Sequence, residues 1–249
     1  MKRIVIICVF VLLSGCDSEN AWDCIQTAGP IVQYDVEVPV FSRVLVNRDV
    51  ELILADGPDY MVRVETGENL TNDVEVKVVG DQLLLTDNNS CNYVREYGIT
   101  KIFVTAPDLS EIRNSSQYEV SSATVLNFED LTLVSEDFNV PGSFNVGDFR
   151  LNINADRLLI TNNDRSSYFI SGEVENLIIG FYAGNGRFEA QNLIAQHIDV
   201  FHRGSNDIIV NPQQSVSGEL RSTGNLILLN EPPLVDVQAY YTGQLIIQN

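Results

Sequence analysis

The sequence predicts an all-β fold whose second half is a parallel β-helix, a solenoid built from short strands. Two observations support this prediction. Apolar residues alternate with polar ones along most of the chain, as at Val74, Val76 and Val78, and no stripe with helical spacing is long enough to predict a helix. Beyond residue 115, apolar positions recur about every 20 residues. Such a repeat is typical of a solenoid, in which each unit buries its apolar face against the next.

The N-terminus has the layout of a secretory signal peptide. Lys2 and Arg3 supply a basic start, residues 4–13 form an uninterrupted apolar run, and small residues precede Cys16. About ten apolar residues are too few to cross, as a helix, a hydrocarbon core of about 30 Å. We therefore interpret residues 1–15 as a signal peptide.

Cys16 follows Leu13-Ser14-Gly15, and this order resembles a bacterial lipobox. The resemblance implies cleavage before Cys16 and a diacylglycerol on its thiol, with residues 16–30 forming the lipidated cysteine and a tether. Several acyl chains attach a protein stably to a membrane, whereas one chain is marginal. The expected location is the cell envelope, lipid-anchored to the outer membrane on its periplasmic or surface face. A core strand with a chance cysteine is the alternative.

The chain is strongly acidic, with 15 basic and 34 acidic residues and a formal net charge of −19. Removal of Lys2 and Arg3 with the signal peptide leaves 13 basic and 34 acidic residues, a formal charge of −21. A negative field of this size repels phosphate backbones and anionic lipid surfaces. We therefore expect no nucleic-acid partner, and we expect membrane attachment through the lipid anchor alone.

The four cysteines divide into two groups. Cys8 lies in the predicted signal peptide and Cys16 is the predicted lipid site, which leaves Cys24 and Cys91. An even pair in an oxidising compartment predicts a disulfide, here closing a loop of roughly 67 residues. Such a crosslink is worth about 4 kcal/mol in the chain-entropy description. Two free thiols or a metal-binding pair are the alternatives, although no third cysteine or histidine lies nearby.

Residues 31–249 are expected to form one β-helical domain. In its first part, short runs such as Val44/Val46 and Val62/Val64 alternate apolar and polar residues, and Asp-Gly, Gly-Asp and Asn-Asn pairs between the runs predict turns. This part repeats less clearly than the rest. A more irregular β portion is therefore expected ahead of the solenoid.

Two series of apolar residues mark the repeat in the second half. The first, predicted to stack inside the solenoid, consists of Phe169, Phe188, Ile209, Ile227 and Ile246. The second lies eleven residues ahead of the first and consists of Leu158, Leu177, Ile198, Val216 and Val235. Loops rich in Asn, Asp, Gly and Ser separate several of the strands. A β-sandwich or barrel with evenly spaced hairpins is the alternative.

Several stretches carry a family resemblance. The closest is Ile102-Phe103-Val104-Thr105-Ala106-Pro107-Asp108-Leu109, and others are Val44-Leu45-Val46, Asp81-Gln82-Leu83 and Gly224-Asn225-Leu226. They resemble the "putative auto-transporter adhesin head GIN domain" family, which is common in Bacteroidetes-type bacteria. The resemblance implies a right-handed parallel β-helix and, through the family name, adhesion. Fold alone does not fix function, however. Residues 113–117 and 137–139 lack the Gly-Ser-Gly turns of many relatives.

The sequence offers few metal-binding residues. His197 and His202 are five apart, so on a strand they face opposite sides and make a poor metal pair. Both are expected at the surface. Calcium at Asp164 or Asp207 is an alternative, although the chain lacks the glycine-rich nonapeptide repeat of calcium-binding solenoids. We expect no metal and no cofactor.

Catalytic motifs are equally scarce, since the chain has no nucleophile elbow, HExxH or phosphate loop. Paired carboxylates are the one apparatus it could supply. Glu173 and Glu175 share a face if their segment is a strand, whereas the adjacent Glu129 and Asp130 would face opposite sides. A carboxylate-dependent enzyme acting on polysaccharides is therefore an alternative, but the favoured interpretation is not an enzyme.

Aromatic residues provide the candidate binding site. Phe181, Tyr182, Phe201, Tyr240 and Tyr241 recur at about one or two repeat lengths. The favoured interpretation is that they fill the interior or cap a turn; the alternative, a strip along one flank of the solenoid, is the best candidate for a site that binds a glycan or a protein. We interpret the chain as a non-catalytic envelope lipoprotein, a binding or adhesion-type scaffold. A purely structural envelope component is the further alternative.

Overall fold

The computed structural model describes residues 22–89, 91–136 and 144–248, and within them the fold is all-β, as predicted. Helical structure there is limited to two short 3-10 turns, Asp23–Ile25 and Glu68–Leu70. The strands are β1 (Ile31–Val36), β2 (Arg43–Asn47), β3 (Glu51–Asp56), β4 (Met61–Gly67), β5 (Val74–Val79), β6 (Gln82–Asp87), β7 (Lys101–Ala106), β8 (Glu111–Ser115), β9 (Val120–Ser122), β10 (Leu126–Asn127), β11 (Asp130–Ser135), β12 (Phe149–Asn162), β13 (Tyr168–Phe181), β14 (Phe188–His202), β15 (Ile208–Leu220), β16 (Leu226–Leu228), β17 (Leu234–Ala239) and β18 (Leu245–Ile247).

These eighteen strands form one hydrogen-bonded sheet that curves until it is nearly closed. The curvature creates an inside, and the strand period of two sends every second side chain into it. In β6 and β7, for example, alternate residues such as Leu83, Leu85, Ile102 and Val104 are buried. Most buried apolar residues of the described ranges join into one core cluster that runs the length of the sheet.

The N-terminal portion mixes two kinds of strand pairing. β1 with β4, β4 with β7, and β5 with β6 are antiparallel. β2 pairs in parallel with β6 and β8, and β3 pairs in parallel with β7 and β9. Mixed pairing does not impose one repeat length, which explains why residues 31–112 show strand alternation without a clear period.

The second half is a parallel ladder. Neighbouring strands pair in parallel in the order β11, β12, β13, β14 and β15. The long strand β15 then pairs with the two shorter strands β16 and β17, and β16 pairs with β18. β12 to β15 are 13 to 15 residues long, and the register between β13 and β14 and between β14 and β15 shifts at bulges. A right-handed helical winding of this ladder stays a prediction.

The second apolar series is confirmed as a column, meaning residues at one register position on successive strands. Its members, Leu158, Leu177, Ile198, Val216 and Val235, pair in this order from β12 to β17. The first four are buried, whereas Val235 on the last strand of the column is 40% exposed. The end of the ladder therefore leaves its last apolar residue partly open to solvent.

The prediction that the first apolar series stacks inside the sheet is wrong for four of its five members, each of which lies one residue from the inward column. Phe169 pairs with Glu189, not with Phe188. The inward column runs through Phe149, Tyr168, Phe188, Ile208 and Leu226, which are buried, and ends at the partly buried Leu245. The neighbours Phe169, Ile209, Ile227 and Ile246 face outward and are only partly buried. A shift of one residue exchanges the two faces of a strand. Because both positions are apolar on four of these strands, the pattern alone could not choose between them.

The expectation that both histidines lie at the surface is wrong for His202. His197 is exposed, but His202 is fully buried at the end of β14. Its Nδ1 accepts a hydrogen bond from the Gly204 amide at 3.3 Å, so its Nε2 carries the proton and donates to the Asn206 carbonyl at 2.8 Å. The next turn closes over the ring so tightly that a Cβ at Gly224 would collide with Nε2.

A disulfide joins Cys24 to Cys91, with a Cα–Cα distance of 4.5 Å. Arg95 reinforces the same junction, since its guanidinium donates to the backbone carbonyls of Asp23 and Gln26 at 2.6 and 3.2 Å. Residues 22–30, the described part of the predicted tether, are thus fastened to the loop after β6. Cys16 lies outside the described residues.

Candidate functional site

The aromatic surface begins at Tyr182, directly after β13. The Tyr182 ring folds back over Gly180, where a Cβ would come within 2.7 Å of the ring atoms, so a side chain at this position would displace the ring. Gly180 is also the register partner of Phe201 on β14. The Tyr182 and Phe201 rings therefore meet on the outside of the sheet, with centroids 5.4 Å apart. Tyr182 is 46% exposed.

Arg221 extends this surface toward the end of the ladder. Its guanidinium carbon lies 5.9 Å from the Phe201 ring centroid and 4.4 Å from that of Tyr240. Both contacts have the geometry of a cation–π interaction. We name the set Tyr182, Phe201, Arg221 and Tyr240 the aromatic stripe.

Polar groups line the edge of the aromatic stripe. Glu219 Oε2 accepts a hydrogen bond from Arg221 Nε at 2.5 Å, and the Tyr240 hydroxyl donates to Gln238 Oε1 at 2.7 Å. The hydrogen bond from Arg221 lowers the pKa of Glu219, and the same bond raises the pKa of Arg221. Both groups therefore stay charged near neutral pH, which gives the stripe fixed donors and acceptors beside its rings.

The five aromatic residues predicted from the sequence do not all lie at the same surface. Tyr182, Phe201 and Tyr240 lie in the aromatic stripe. Phe181 is fully buried, because adjacent residues of an extended chain face opposite sides and its neighbour Tyr182 faces outward. The prediction that Phe181 belongs to an exposed strip is therefore wrong. Its ring contacts Tyr168 and His202, with centroids 5.7 and 6.0 Å away. Tyr241 is 67% exposed and stacks on no described ring.

Sequence reasoning missed Arg221, although a signal for it exists. Phe181, His202, Leu220 and Ala239 occupy one register position on successive strands. The residues that follow them form the next column, which is Tyr182, Arg203, Arg221 and Tyr240. If the repeat is aligned with all residue types, and not only with the apolar ones, both arginines fall between the two tyrosines. This alignment is the signal that could have identified Arg221.

The candidate catalytic carboxylates lie on a different part of the ladder. Glu173 and Glu175 flank the buried Val174 on β13, so they share the outer face as predicted from strand geometry. Both are exposed, and Glu175 Oε1 lies 3.9 Å from His197 Nε2.

Asp207, one of the two alternative calcium positions, is engaged by the following turn. Asp207 Oδ1 accepts hydrogen bonds from the Asn225 amide and side chain at 3.1 and 2.9 Å, so it links the turns that precede β15 and β16. No group of three or more His, Cys, Asp or Glu residues there could hold a metal ion. No helix in the same ranges is long and apolar enough to cross a membrane.

Fold and site together define an all-β protein that presents aromatic rings and an arginine on the outside of a curved sheet. The chain belongs to the family described as "putative auto-transporter adhesin, head GIN domain", whose profile matches residues 40–232. This match confirms the resemblance seen in the sequence. Curated protein sequences give no match.

Solved structures share the fold. One is described as a "putative adhesin" from Bacteroides fragilis, with 17% identity, a TM-score of 0.66, and coverage of 89% of this chain and 99% of that chain. Another is a "putative lipid binding protein" from Parabacteroides distasonis, with 13% identity, a TM-score of 0.57, and coverage of 89% and 98%. A "putative adhesin" from Parabacteroides merdae has 12% identity, a TM-score of 0.58, and coverage of 89% and 97%. Identities this low establish similarity of fold alone.

Proposed function

We propose that this chain is a non-catalytic, lipid-anchored protein of the cell envelope that binds a glycan through the aromatic stripe. In this proposal residues 1–15 are removed, Cys16 carries the lipid, and residues 31–249 form a single right-handed β-helical domain that displays the stripe on its flank. The observation that carries the proposal is the continuous contact from Tyr182 through Phe201 and Arg221 to Tyr240.

The chemistry of the stripe suits a sugar. Aromatic faces offer apolar area at little loss of conformational entropy, because each ring has only two side-chain torsions. The faces of sugar rings that carry C–H groups can pack on such rings. Glu219, Arg221 and Gln238 supply acceptors and donors for hydroxyl groups at the edge of the same surface.

Two further observations support the envelope setting. The family name and two of the similar structures refer to adhesins, and adhesion takes place at the cell surface. The lipobox-like sequence before Cys16 supplies a means of attachment. One similar structure is described as lipid binding. The charged and amide groups beside the aromatic stripe favour a hydrated ligand over an acyl chain.

Glycan binding is tested on an oligosaccharide array with the full chain purified in detergent. Tyr182→Ala and Tyr240→Ala should each weaken binding roughly tenfold or more, as truncation of a central aromatic contact does. Phe169→Ala is the matched control, since it removes another outward ring that lies under an arginine, Arg150, at 4.3 Å. The control variant should bind like the parent.

Three results would contradict the proposal. One is unchanged glycan binding by Tyr182→Ala and Tyr240→Ala. The second is turnover of a polysaccharide that a single substitution such as Glu173→Gln abolishes, which would favour the carboxylate-dependent enzyme. The third is binding to no glycan on the array, which would favour the purely structural role.

The anchor is tested separately by labelling cells with radioactive palmitate. The parent chain should incorporate label and appear in the membrane fraction, because acyl chains on Cys16 hold it there. Cys16→Ala should lose the label and accumulate as an unprocessed or released chain. Equal labelling and processing of the Cys16→Ala variant would refute the lipid site.

A further inference from the structure

The register column that carries Tyr182, Arg221 and Tyr240 of the aromatic stripe also contains Arg203, so that two arginines occupy neighbouring positions. The backbone amide of Arg203 donates to the Phe181 carbonyl at 2.7 Å, and that of Arg221 donates to the His202 carbonyl at 2.7 Å. Tyr240 continues the series through the Leu220 carbonyl at 2.8 Å. On successive strands, the outward column is therefore tyrosine, arginine, arginine, tyrosine.

The charge on this column is only partly neutralised. Arg221 is paired with Glu219, but Arg203 is exposed and forms no ion pair with any described residue. Most arginines and lysines in the described ranges are ion-paired; the exceptions are Arg48, Arg95 and Arg203. Arg95 is occupied by backbone carbonyls. Like charges at neighbouring sheet positions repel each other, so two adjacent arginines are a local exception in a chain with 34 acidic residues.

We infer that the glycan bound at the aromatic stripe is acidic and that its carboxylate or sulfate group contacts Arg203 and Arg221. This inference rests on the proposed function and adds the chemical class of the ligand. Guanidinium groups bind carboxylate and related anions in a planar, two-point geometry, which a neutral sugar cannot use. Tyr182 and Tyr240, at either end of the arginine pair, would pack against the flanking sugar rings.

The acidity of the whole chain limits how such a ligand can bind. Distant carboxylates repel a polyanion, but at physiological salt their fields fall off within about 8 Å. The two arginines act at contact distance, where screening is weak. Binding therefore depends on this column, and removal of one arginine there has a large effect.

The test uses an array of oligosaccharides that carry uronate, sialate or sulfate groups, each beside a neutral counterpart in which the carboxyl group is reduced or the sulfate is absent. The full chain should bind acidic members and bind their neutral counterparts at least about tenfold more weakly. Arg203→Gln should lower affinity for the acidic members by a similar factor. Arg48→Gln is the matched control, because Arg48 is also exposed and forms no ion pair with a described residue.

The outcomes separate the inference from the proposed function. Binding of neutral counterparts as tightly as acidic ones, with loss in Tyr182→Ala, would overturn the acidic assignment and leave glycan binding intact. An equal effect of Arg203→Gln and Arg48→Gln would also overturn it, since general charge and not this column would then decide affinity. Poly-glutamate binding as tightly as the acidic sugars would reassign the site to acidic peptides. No binding of any member would overturn both proposals.

Discussion

At the scale of single residues, two buried polar side chains close turns in the same way. Asn114 Oδ1 accepts from the Ser116 amide at 2.9 Å, and its Nδ2 donates to the Tyr118 carbonyl at 3.0 Å. His202 makes the equivalent pair of bonds, to the amide two residues on and the carbonyl four residues on. Each side chain thus satisfies backbone groups that a tight turn would leave unpaired inside the protein.

This arrangement makes the free energy of unfolding depend on pH. Burial lowers the pKa of His202 below its ordinary value, and protonation of Nδ1 would break its bond to the Gly204 amide. The unfolded chain takes up this proton near pH 6.5, before the folded chain does. His202 should therefore have no effect above that pH and should destabilise the fold as pH falls from about 6.5 toward its folded pKa, by up to about 1.4 kcal/mol per pH unit.

The measurement is chemical unfolding between pH 7.5 and pH 5 for the parent and for His202→Asn. The difference between the two isolates this group from the many carboxylates. Asparagine should preserve the turn bonds, as Asn114 does, and should remove the histidine contribution to the pH dependence. His197→Gln, at an exposed position, is the control. If His202→Asn and the parent had parallel pH profiles, the turn would not be proton-sensitive.

At the scale of elements, the stability of the ladder depends on register. In β15, Ile208 belongs to the buried column, whereas the adjacent Ile209 faces outward and is only partly buried. Between β14 and β15, Ile208 pairs with Phe188 and Ile209 pairs with Glu189. The two isoleucines differ only in the face they occupy, which makes them a matched pair.

Ile208→Ala should lower the free energy of unfolding by about 2–5 kcal/mol, because it leaves a cavity in the core. Ile209→Ala should lower it by clearly less, since its side chain keeps solvent contact in the folded state. Denaturant unfolding of both variants checks the prediction. The reverse order would place Ile209 inside the sheet and refute the pairing of Ile208 with Phe188.

At the scale of the whole molecule, the Cys24–Cys91 disulfide connects the segment that follows the predicted lipid site to the sheet. The crosslink spans 67 residues, and the loop after β6 also receives Arg95 contacts to the same segment. A pull on the tether would therefore be transmitted to the sheet at this junction.

Thiol titration and unfolding check this junction. Denatured, unreduced protein should show no reactive thiol from Cys24 or Cys91. The paired substitution of both cysteines by serine should lower the free energy of unfolding by about 4 kcal/mol in the chain-entropy description. A reactive thiol at Cys24 or Cys91 in the parent chain, or a paired variant as stable as the parent, would contradict the crosslink.

The sequence by itself determined the class of fold and the family. Strand alternation, a recurring interval and the family motifs are local or periodic signals, and they predict all-β structure and the column from Leu158 to Val235 without knowledge of contacts. The sequence also supplied three members of the candidate site, because aromatics at repeat spacing stand out in an acidic, polar chain. These conclusions require only that hydrophobic burial follow the strand period.

Only the tertiary structure decided which of two neighbouring apolar residues faces inward. Where one neighbour is polar, as at Phe188 and Glu189, the pattern settles the choice. Tyr168 and Phe169, however, offer similar apolar area to either face, and so do the adjacent isoleucines of β15. The same ambiguity concealed that Phe181 lies inside the sheet while its neighbour Tyr182 lies outside.

The position of Arg221 between the Phe201 and Tyr240 rings was likewise decided by tertiary structure. These three side chains come from different turns of the repeat, and their contact requires that the strands carrying them align at one register. Strand register is fixed by packing across the whole sheet, including the bulges that shift β14 against its neighbours, and not by any local pattern.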